Sequence, residues 1–433
     1  MTGVSPVRPR TSTGRATSSS SRESAREPRQ RPRERRPRPS GRLLQPLVWL
    51  PAVSLILFGL CMMLSLSPSI EAAEGRYGLL KDQAVALGVG LILLVIAWRL
   101  DYRRLRKLSL VAFGVILLSL LLVHIPGVAM SKGGSRSWIG VGSLSYQPSE
   151  FAKIAVILFG AHILSSPRVA DRRFWSYMWP FGVLGLLACA SVLLEGDLGT
   201  AVIIAGLLLG LLWMGGMRFL HWLLVAGGGL AVVAVATLVS EERTSRVLSF
   251  LNPFADPYDS GFQLVQSLVA LGRGGLFGVG AGQSVQKFQY LPQAHTDMVY
   301  AIIGEEFGLL GAGLVIVFFA LFCVGCWHLA CRAADPMGRL LISGCGLLVA
   351  FQAVINIGGV IGALPLTGVP LPFVSYGGNS LVVMLACVGL VLGVARQMSR
   401  TPAPGQLVGY QNVTRLDSWR RYGGARSARA GSR

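Results

Sequence analysis

Charge is scarce in this chain: of its 433 residues only 14% are Asp, Glu, Lys or Arg, and just 20 are acidic. Soluble domains carry roughly a quarter charged residues, so a string of soluble domains is excluded once the apolar residues also prove to be gathered into blocks. Cysteine is equally sparse. Six of the seven lie inside apolar stretches, which excludes a disulfide scaffold. Cys323, Cys326, His328 and Cys331 stand close together. A haem-attachment site needs Cys-x-x-Cys-His, however, and Trp327 intervenes, while a zinc site would draw a second ligand pair from a loop. They read as small polarizable side chains packing at a helix end. Glycine is plentiful, yet GRGGLFGVGAGQ is not followed by Gly-Lys-Ser/Thr and no strand precedes it, which excludes a phosphate loop. Close packing or a lid is the remaining reading of those glycines.

What the chain does have is apolar runs of about twenty residues, the length that crosses a bilayer core of roughly 30 Å. Ten lie near 47–67, 79–98, 108–128, 149–165, 174–194, 198–214, 219–239, 308–330, 340–361 and 379–395. The expected fold is all-α: a polytopic membrane bundle of about ten transmembrane helices spanning 44–396, between basic tails at 1–43 and 397–433. The first tail is Arg, Ser and Pro with almost nothing to bury, so disorder is expected there.

The net charge of +20 invites a nucleic-acid reading that its placement rejects. Twelve Arg precede Leu43 and eight more follow from Arg396 onward. Arg99, Arg103, Arg104, Arg106 and Lys107 follow the second block, Arg168, Arg172 and Arg173 the fourth, Arg218 the sixth, and Arg332 and Arg339 flank the turn after the eighth. Every second loop is basic. The positive-inside rule then places these loops and both termini in the cytoplasm, with the protein in the cytoplasmic membrane. The tails become solvated or lipid-headgroup-facing segments, and no nucleic-acid partner is expected.

The opposite, external loops hold the chemistry. The longest, 240–297, is too long for a passive connection. It contains an amphipathic stretch, Gly261 to Gly275, with Phe262, Val265, Leu268 and Val269 on one helical face, suited to lying on the membrane or capping a cavity. It continues as LPQAHTDMVYAIIGEEFG, in which Asp297 and Glu305 are displaced by about 80° on a helical wheel while Glu306 points away. Carboxylates near a membrane boundary should face a polar cavity. Pairing with Arg273 or Lys287, merely to hold the loop down, is the competing reading, and spacing leaves both open. A second loop carries RSWIGVGSLSYQPSEFAK, with Arg136 outside the fourth block and Glu150 and Lys153 sharing a helix face as an internal ion pair or as functional groups. A last loop, LPLTGVPLPFVSYGGNS, offers Ser375 and Tyr376 on an irregular backbone of the kind a bilayer tolerates only beside a cavity. Several cations and a few acids at one face suit an anionic, partly lipidic ligand such as a polyprenyl diphosphate.

From about Pro46 to Arg396 these motifs resemble the SEDS (shape, elongation, division and sporulation) family. RSWIGVGSLSYQPSEFAK, DLGT, QLVQSLVALGRGGLFGVG, YLPQAHTD with GEEFG, and LPLTGVPLPFVSYGG appear in family order. GAGQSVQKFQYLPQAHTD is more like the division and sporulation branch (FtsW, SpoVE), whereas PLPFVSYGG is more like the elongation branch (RodA). The family usually has Gln-Pro before Asp-Leu-Gly-Thr, where this chain has Glu195-Gly196, and some division members have Lys where Thr367 stands. The resemblance implies a peptidoglycan glycosyltransferase that polymerises lipid II, with septal synthesis as the branch expectation and Asp297 matching the catalytic acid. It also implies roles for Glu150 and Lys153, and less directly for Arg136, Arg273, Lys287 and Glu305, in holding substrate. The diphosphate leaving group is compatible with Mg²⁺ or Mn²⁺. A class B penicillin-binding transpeptidase and other division proteins are the implied partners, alongside membrane lipid. A lipid II flippase or transporter, a RodA-type elongation glycosyltransferase, or a scaffold acting through its tails remain as the alternative readings.

Overall fold

The computed structural model describes residues 44–67, 78–126, 129–132, 135–141, 144–167, 169, 173–288 and 290–398. The basic tail 1–43, and all of the second tail beyond residue 398, lie outside the described residues, and so do the expectations that concern them. Each apolar block forms a helix. In chain order these are α1 (Pro46–Leu66), α2 (Gly78–Arg99), α3 (Leu105–Leu122), α4 (Pro148–Leu164), α5 (Phe174–Leu194), α6 (Leu198–Met214) and α7 (Phe219–Leu238). Two amphipathic helices follow, α8 (Glu241–Leu251) and α9 (Phe262–Gly274), and then α10 (Val299–Arg332), α11 (Pro336–Val360) and α12 (Gly378–Met398).

Eight of these, namely α1, α2, α3, α5, α7, α10, α11 and α12, are long and apolar enough to cross a membrane. Helices α4 and α6 have 17 residues each. Local chemistry sets the helix ends. Prolines occupy the first turns of α1, α4 and α11, where a missing N–H costs nothing. Asp197 caps α6 through Thr200 N (2.8 Å), and Asp335 caps α11 through Gly338 N (3.1 Å). Within α5 the helix breaks at Trp179 (φ −110°, ψ 122°), because the residue before a proline is driven to extended backbone.

The bundle interior is apolar, with Val156, Ile203, Phe322, Leu341 and Met384 fully or almost fully buried. Its perimeter is apolar too: α7 buries no residue at all, and Leu220, Leu224, Leu230 and Leu238 are turned outward. Helices that are apolar all round belong in hydrocarbon.

Contacts sort the loops into two ends. At one end Arg396 donates to Arg99 O (2.9 Å), Gln397 to Leu100 O (2.9 Å), and Ser109 Oγ meets His162 Nδ1 (2.8 Å). The Tyr102 ring lies there against the first turn of α11, 3.5 Å from where a β-carbon on Gly338 would stand. This basic end therefore gathers the loops after α2, α4 and α10. At the other end lie the starts of α2, α4 and α6, the segment 239–298 and the loop between α11 and α12.

That second end holds the only β-structure among the described residues, which the sequence reading did not anticipate. Three short strands, β1 (Ala129–Lys132), β2 (Ser135–Val141) and β3 (Leu144–Tyr146), form an antiparallel meander with Met130 opposite Trp138 and Gly140 opposite Ser145. The alternating SRSWIGV run supplies the central strand.

The long segment after α7 is tied down by a break in α10. At Gly308 the backbone reaches φ 65°, ψ −164°, a conformation that a side chain would resist. The groups freed there are taken up by the glycine run: Val279 N donates to Glu305 O (2.9 Å), Gly280 N to Glu306 O (3.0 Å), and Leu309 N to Gly275 O (2.9 Å). Every exposed backbone group in an apolar surrounding needs such a partner. The glycines are therefore a splint for a broken helix. Helix α9 packs on α10, where Gly274 and Leu271 lie against Gly304, and on the end of α11, where Ser267 Oγ donates to Val360 O (2.9 Å) and Leu264 lies beside Gly362. Phe262, Val265 and Leu268 are only half-buried and Val269 is exposed, so the apolar face read from the sequence is not the one that packs. Small residues let two backbones approach closely, and the larger face is left for an apolar environment.

Candidate functional site

Asp297 sits where the turn-rich run Leu291–Met298 meets α10. It precedes the N-cap Met298, so it stands just outside the helix and a helical-wheel angle to Glu305 has no meaning for it. Thr296 N and Met298 N both donate to Gln293 O (3.1 and 3.3 Å), which fixes the turn. The Asp297 carboxylate is half-buried, and its Oδ1 accepts from Thr296 Oγ1 (3.2 Å). Its backbone carbonyl accepts from Asn356 Nδ2 (2.7 Å). The α11–α12 loop closes over it. Tyr376 N donates to His295 O (2.9 Å), and Gly368, at φ +71°, is so placed that a β-carbon there would stand 3.9 Å from Asp297 Oδ2. Burial pushes the Asp297 carboxyl up to about 6, opposed by its hydrogen bonds and by the positive charge of Arg246 on α8. A carboxylate poised there is a far better base than an ordinary one.

Glu150 and Lys153, on the first turns of α4, are buried and paired: Lys153 Nζ donates to Glu150 Oε1 (2.7 Å) and to Gln352 Oε1 (3.2 Å). Glu150 Oε2 has no partner among the described residues. The charge of Asp197 reaches this pair and is felt in return; burial raises the Asp197 carboxyl, and Lys153 pulls it back. Next to it, Glu195 is buried with neither oxygen partnered among the described residues, and burial followed by the Asp197 charge pushes it up to about 8. Glu195 therefore carries its proton at neutral pH. A protonated Glu has the shape and neutrality of Gln, which explains how a glutamate occupies that position.

The other predicted residues form a separate group along α10. Ser284 Oγ hydrogen-bonds Glu305, Val285 N donates to the same carboxylate (3.2 Å), and Arg273 Nη1 lies 3.5 Å from it. Glu306 is buried and accepts from Ser65 Oγ (2.6 Å) and Lys287 Nζ (3.0 Å). Lys287 gives its remaining protons to Gly282 O (2.7 Å) and Ser65 Oγ (3.0 Å). These pairs hold the loop to α1 and α10, the pinning role the sequence left open for Arg273 and Lys287. Arg273 retains a half-exposed side chain. Arg136 is placed on β2. Ser375 Oγ accepts from Leu371 N (2.8 Å), so it shapes the loop, while Tyr376 Oη donates to Asp82 Oδ2 (3.1 Å) at the surface. No three His, Cys, Asp or Glu side chains among the described residues converge as a metal site.

Sequence reasoning missed Gln352, Asn356 and Arg246. The first two had a visible signal: two amides four residues apart inside the apolar helix α11, on one face. Arg246 had none, since the amphipathic α8 looks like a solvated helix until it is folded against Asp297.

Residues 45–400 match the family model described as cell cycle protein, FtsW/RodA/SpoVE. The chain is 38% identical over 358 residues to stage V sporulation protein E of Bacillus subtilis, covering 81% of this chain and 97% of that protein. It is 36% identical over 357 residues to a probable peptidoglycan glycosyltransferase FtsW of Geobacter metallireducens, covering 82% and 95%. Among solved structures, a peptidoglycan synthase complex that coordinates polymerization and crosslinking contains a chain 30% identical, with TM-score 0.67 and coverage of 81% and 97%. The rod shape determining protein RodA of Thermus thermophilus is 29% identical, with TM-score 0.60 and coverage of 81% and 96%.

Proposed function

Since the chain belongs to the FtsW/RodA/SpoVE family, we propose that its Asp297 end is the active site of a peptidoglycan glycosyltransferase that polymerises lipid II, with septal synthesis as its setting. The observation that carries the reading is a half-buried carboxylate raised to about 6, held by turn, helix and loop beside an arginine. In the reaction, Asp297 takes the proton of the GlcNAc 4-hydroxyl of one lipid II as that oxygen attacks the anomeric carbon of the MurNAc ending the growing chain. The new C–O bond forms as the bond to the diphosphate breaks, and the polyprenyl diphosphate leaves with the electron pair. The anomeric centre inverts. Arg246 and Arg273 supply positive charge for the leaving group. Glu150 and Lys153 fix the floor of the site. The residues offer a divalent cation few carboxylates, so Mg²⁺ or Mn²⁺ would arrive as the counter-ion of the diphosphate and supply neutralisation of its charge.

The positive-inside rule orients the bundle with its basic end in the cytoplasm and the Asp297 end outside the cytoplasmic membrane, α4 and α6 completing ten spans. Single cysteines placed in 254–260 should react with impermeant maleimide in intact cells, and cysteines beside Arg103 only after lysis. The reverse pattern would put the site on the wrong side of the membrane for this reaction. A class B penicillin-binding transpeptidase and further division proteins are the proposed partners.

The central test is conversion of lipid II to glycan strands by the purified protein with its transpeptidase partner in vesicles. The active form is ionised Asp297, so the rate should be full above the folded-state pKa and fall as pH drops through about 6. Arg246 lowers that pKa, so Arg246→Gln should move the acid limb to higher pH. Movement of lipid II across the vesicle without polymerisation would replace the enzyme by a transporter.

A further inference from the structure

Two buried amides of α11 join the separate parts of the site. Gln352 is fully buried and Asn356 nearly so, and at four residues apart they share one face of the helix. Asn356 Nδ2 uses both of its hydrogens, one on Asp297 O (2.7 Å) and one on Val369 O (2.8 Å). Gln352 Nε2 does the same one turn earlier, on Pro370 O (3.0 Å) and Ser380 Oγ (3.1 Å), while its Oε1 accepts from Lys153 (3.2 Å). Consecutive loop carbonyls, 369 and 370, are thus held by neighbouring amides. The chain of contacts runs Glu150–Lys153–Gln352–loop–Asn356–Asp297.

A loop-satisfying role alone would account for the carbonyls of Val369 and Pro370, which lie in a proline-rich stretch poor in partners. It does not account for the second hydrogen of Asn356. That bond goes to the backbone of Asp297 itself, which lies ahead of α10; there Ala301 N donates to Met298 O. Asn356 Oδ1 has no partner among the described residues, so the two donor bonds are what orient the amide. A residue that fixes the main chain of Asp297 also fixes the origin of its carboxylate, and Gly368, next to Val369 in the same tethered loop, lies against that carboxylate.

We propose that Asn356, supported by Gln352, is a positioning residue for glycan polymerisation: its amide clamps the Asp297 backbone to the α11–α12 loop and thereby sets the distance of the carboxylate from the acceptor hydroxyl. The inference rests on Asp297 acting as the base. Misplacement of a catalytic group by about 1 Å costs ~10²-fold in rate. Asn356→Ala should therefore lower kcat by about that factor with KM for lipid II little changed, since the amide touches no substrate. It should also move the acid limb below about 6 as the loosened carboxylate gains water. Asn356→Ser, which keeps one donor, should recover part of kcat. Gln352→Leu should act in the same direction and combine with Asn356→Ala less than additively, because both act through one loop. Thermal unfolding of each variant identifies those that remain folded, and Asn356→Ser serves if the alanine variant does not. A folded variant with kcat within about twofold of normal and an unmoved acid limb overturns the inference. Full activity in Asp297→Asn would instead overturn the base assignment and the inference with it.

Discussion

Asp297→Asn is expected to reduce lipid II polymerisation by ~10² to 10⁴ while the protein still folds and inserts. Asparagine keeps the volume of the side chain and can still accept from Thr296 Oγ1 through its amide oxygen. The backbone bond from Asn356 is untouched, since it ends on the Asp297 carbonyl and not on the carboxylate. What disappears is the ability to take a proton. Residual turnover should no longer show an acid limb near 6, because the group that produces it is gone. Unfolding temperature should change little or rise, since a carboxylate whose ionisation is opposed by burial is replaced by a neutral group. Polymerisation at a near-normal rate would remove Asp297 from the chemistry and leave the family relationship without an identified base.

Lys153→Met should be the most damaging change to folding. Removing one partner of a buried ion pair typically costs about 3–5 kcal/mol, because the remaining charge is left without compensation. Here the stranded group is Glu150, already short of a partner at Oε2 and within reach of the Asp197 charge. Low yield and a large fall in unfolding temperature are the expected readouts. Adding Glu150→Gln should restore much of the stability, since no buried charge is then left alone. Activity should not return with it, because Gln352 loses the ammonium that it accepts from and the Lys153 charge is absent from the floor of the site. Recovery of both together would reduce the pair to a structural device.

The ten helical segments and the sorting of basic loops to one end are legible in the sequence. The reason is physical: a bilayer forces apolar runs of fixed length and a charge bias between their flanks, and both are one-dimensional patterns. The meander at 129–146 was hidden because short strands in a polar loop carry little periodic signal. Glu305 and Glu306 looked like neighbours of Asp297 with opposite orientations, yet both turned out to be buried in pairs that pin the glycine run to a broken α10. Spacing along a helix says which residues share a face; it cannot reveal that Asp297 lies before the helix starts or that Gly308 interrupts it. The same holds for Gln352 and Asn356, whose amides acquire meaning only when carbonyls from a distant loop arrive opposite them. Membrane solvation wrote the spans into the sequence, whereas the hydrogen bonds that assemble the site join residues far apart in the chain, 199 positions for Lys153 and Gln352, and only the folded chain brings them together.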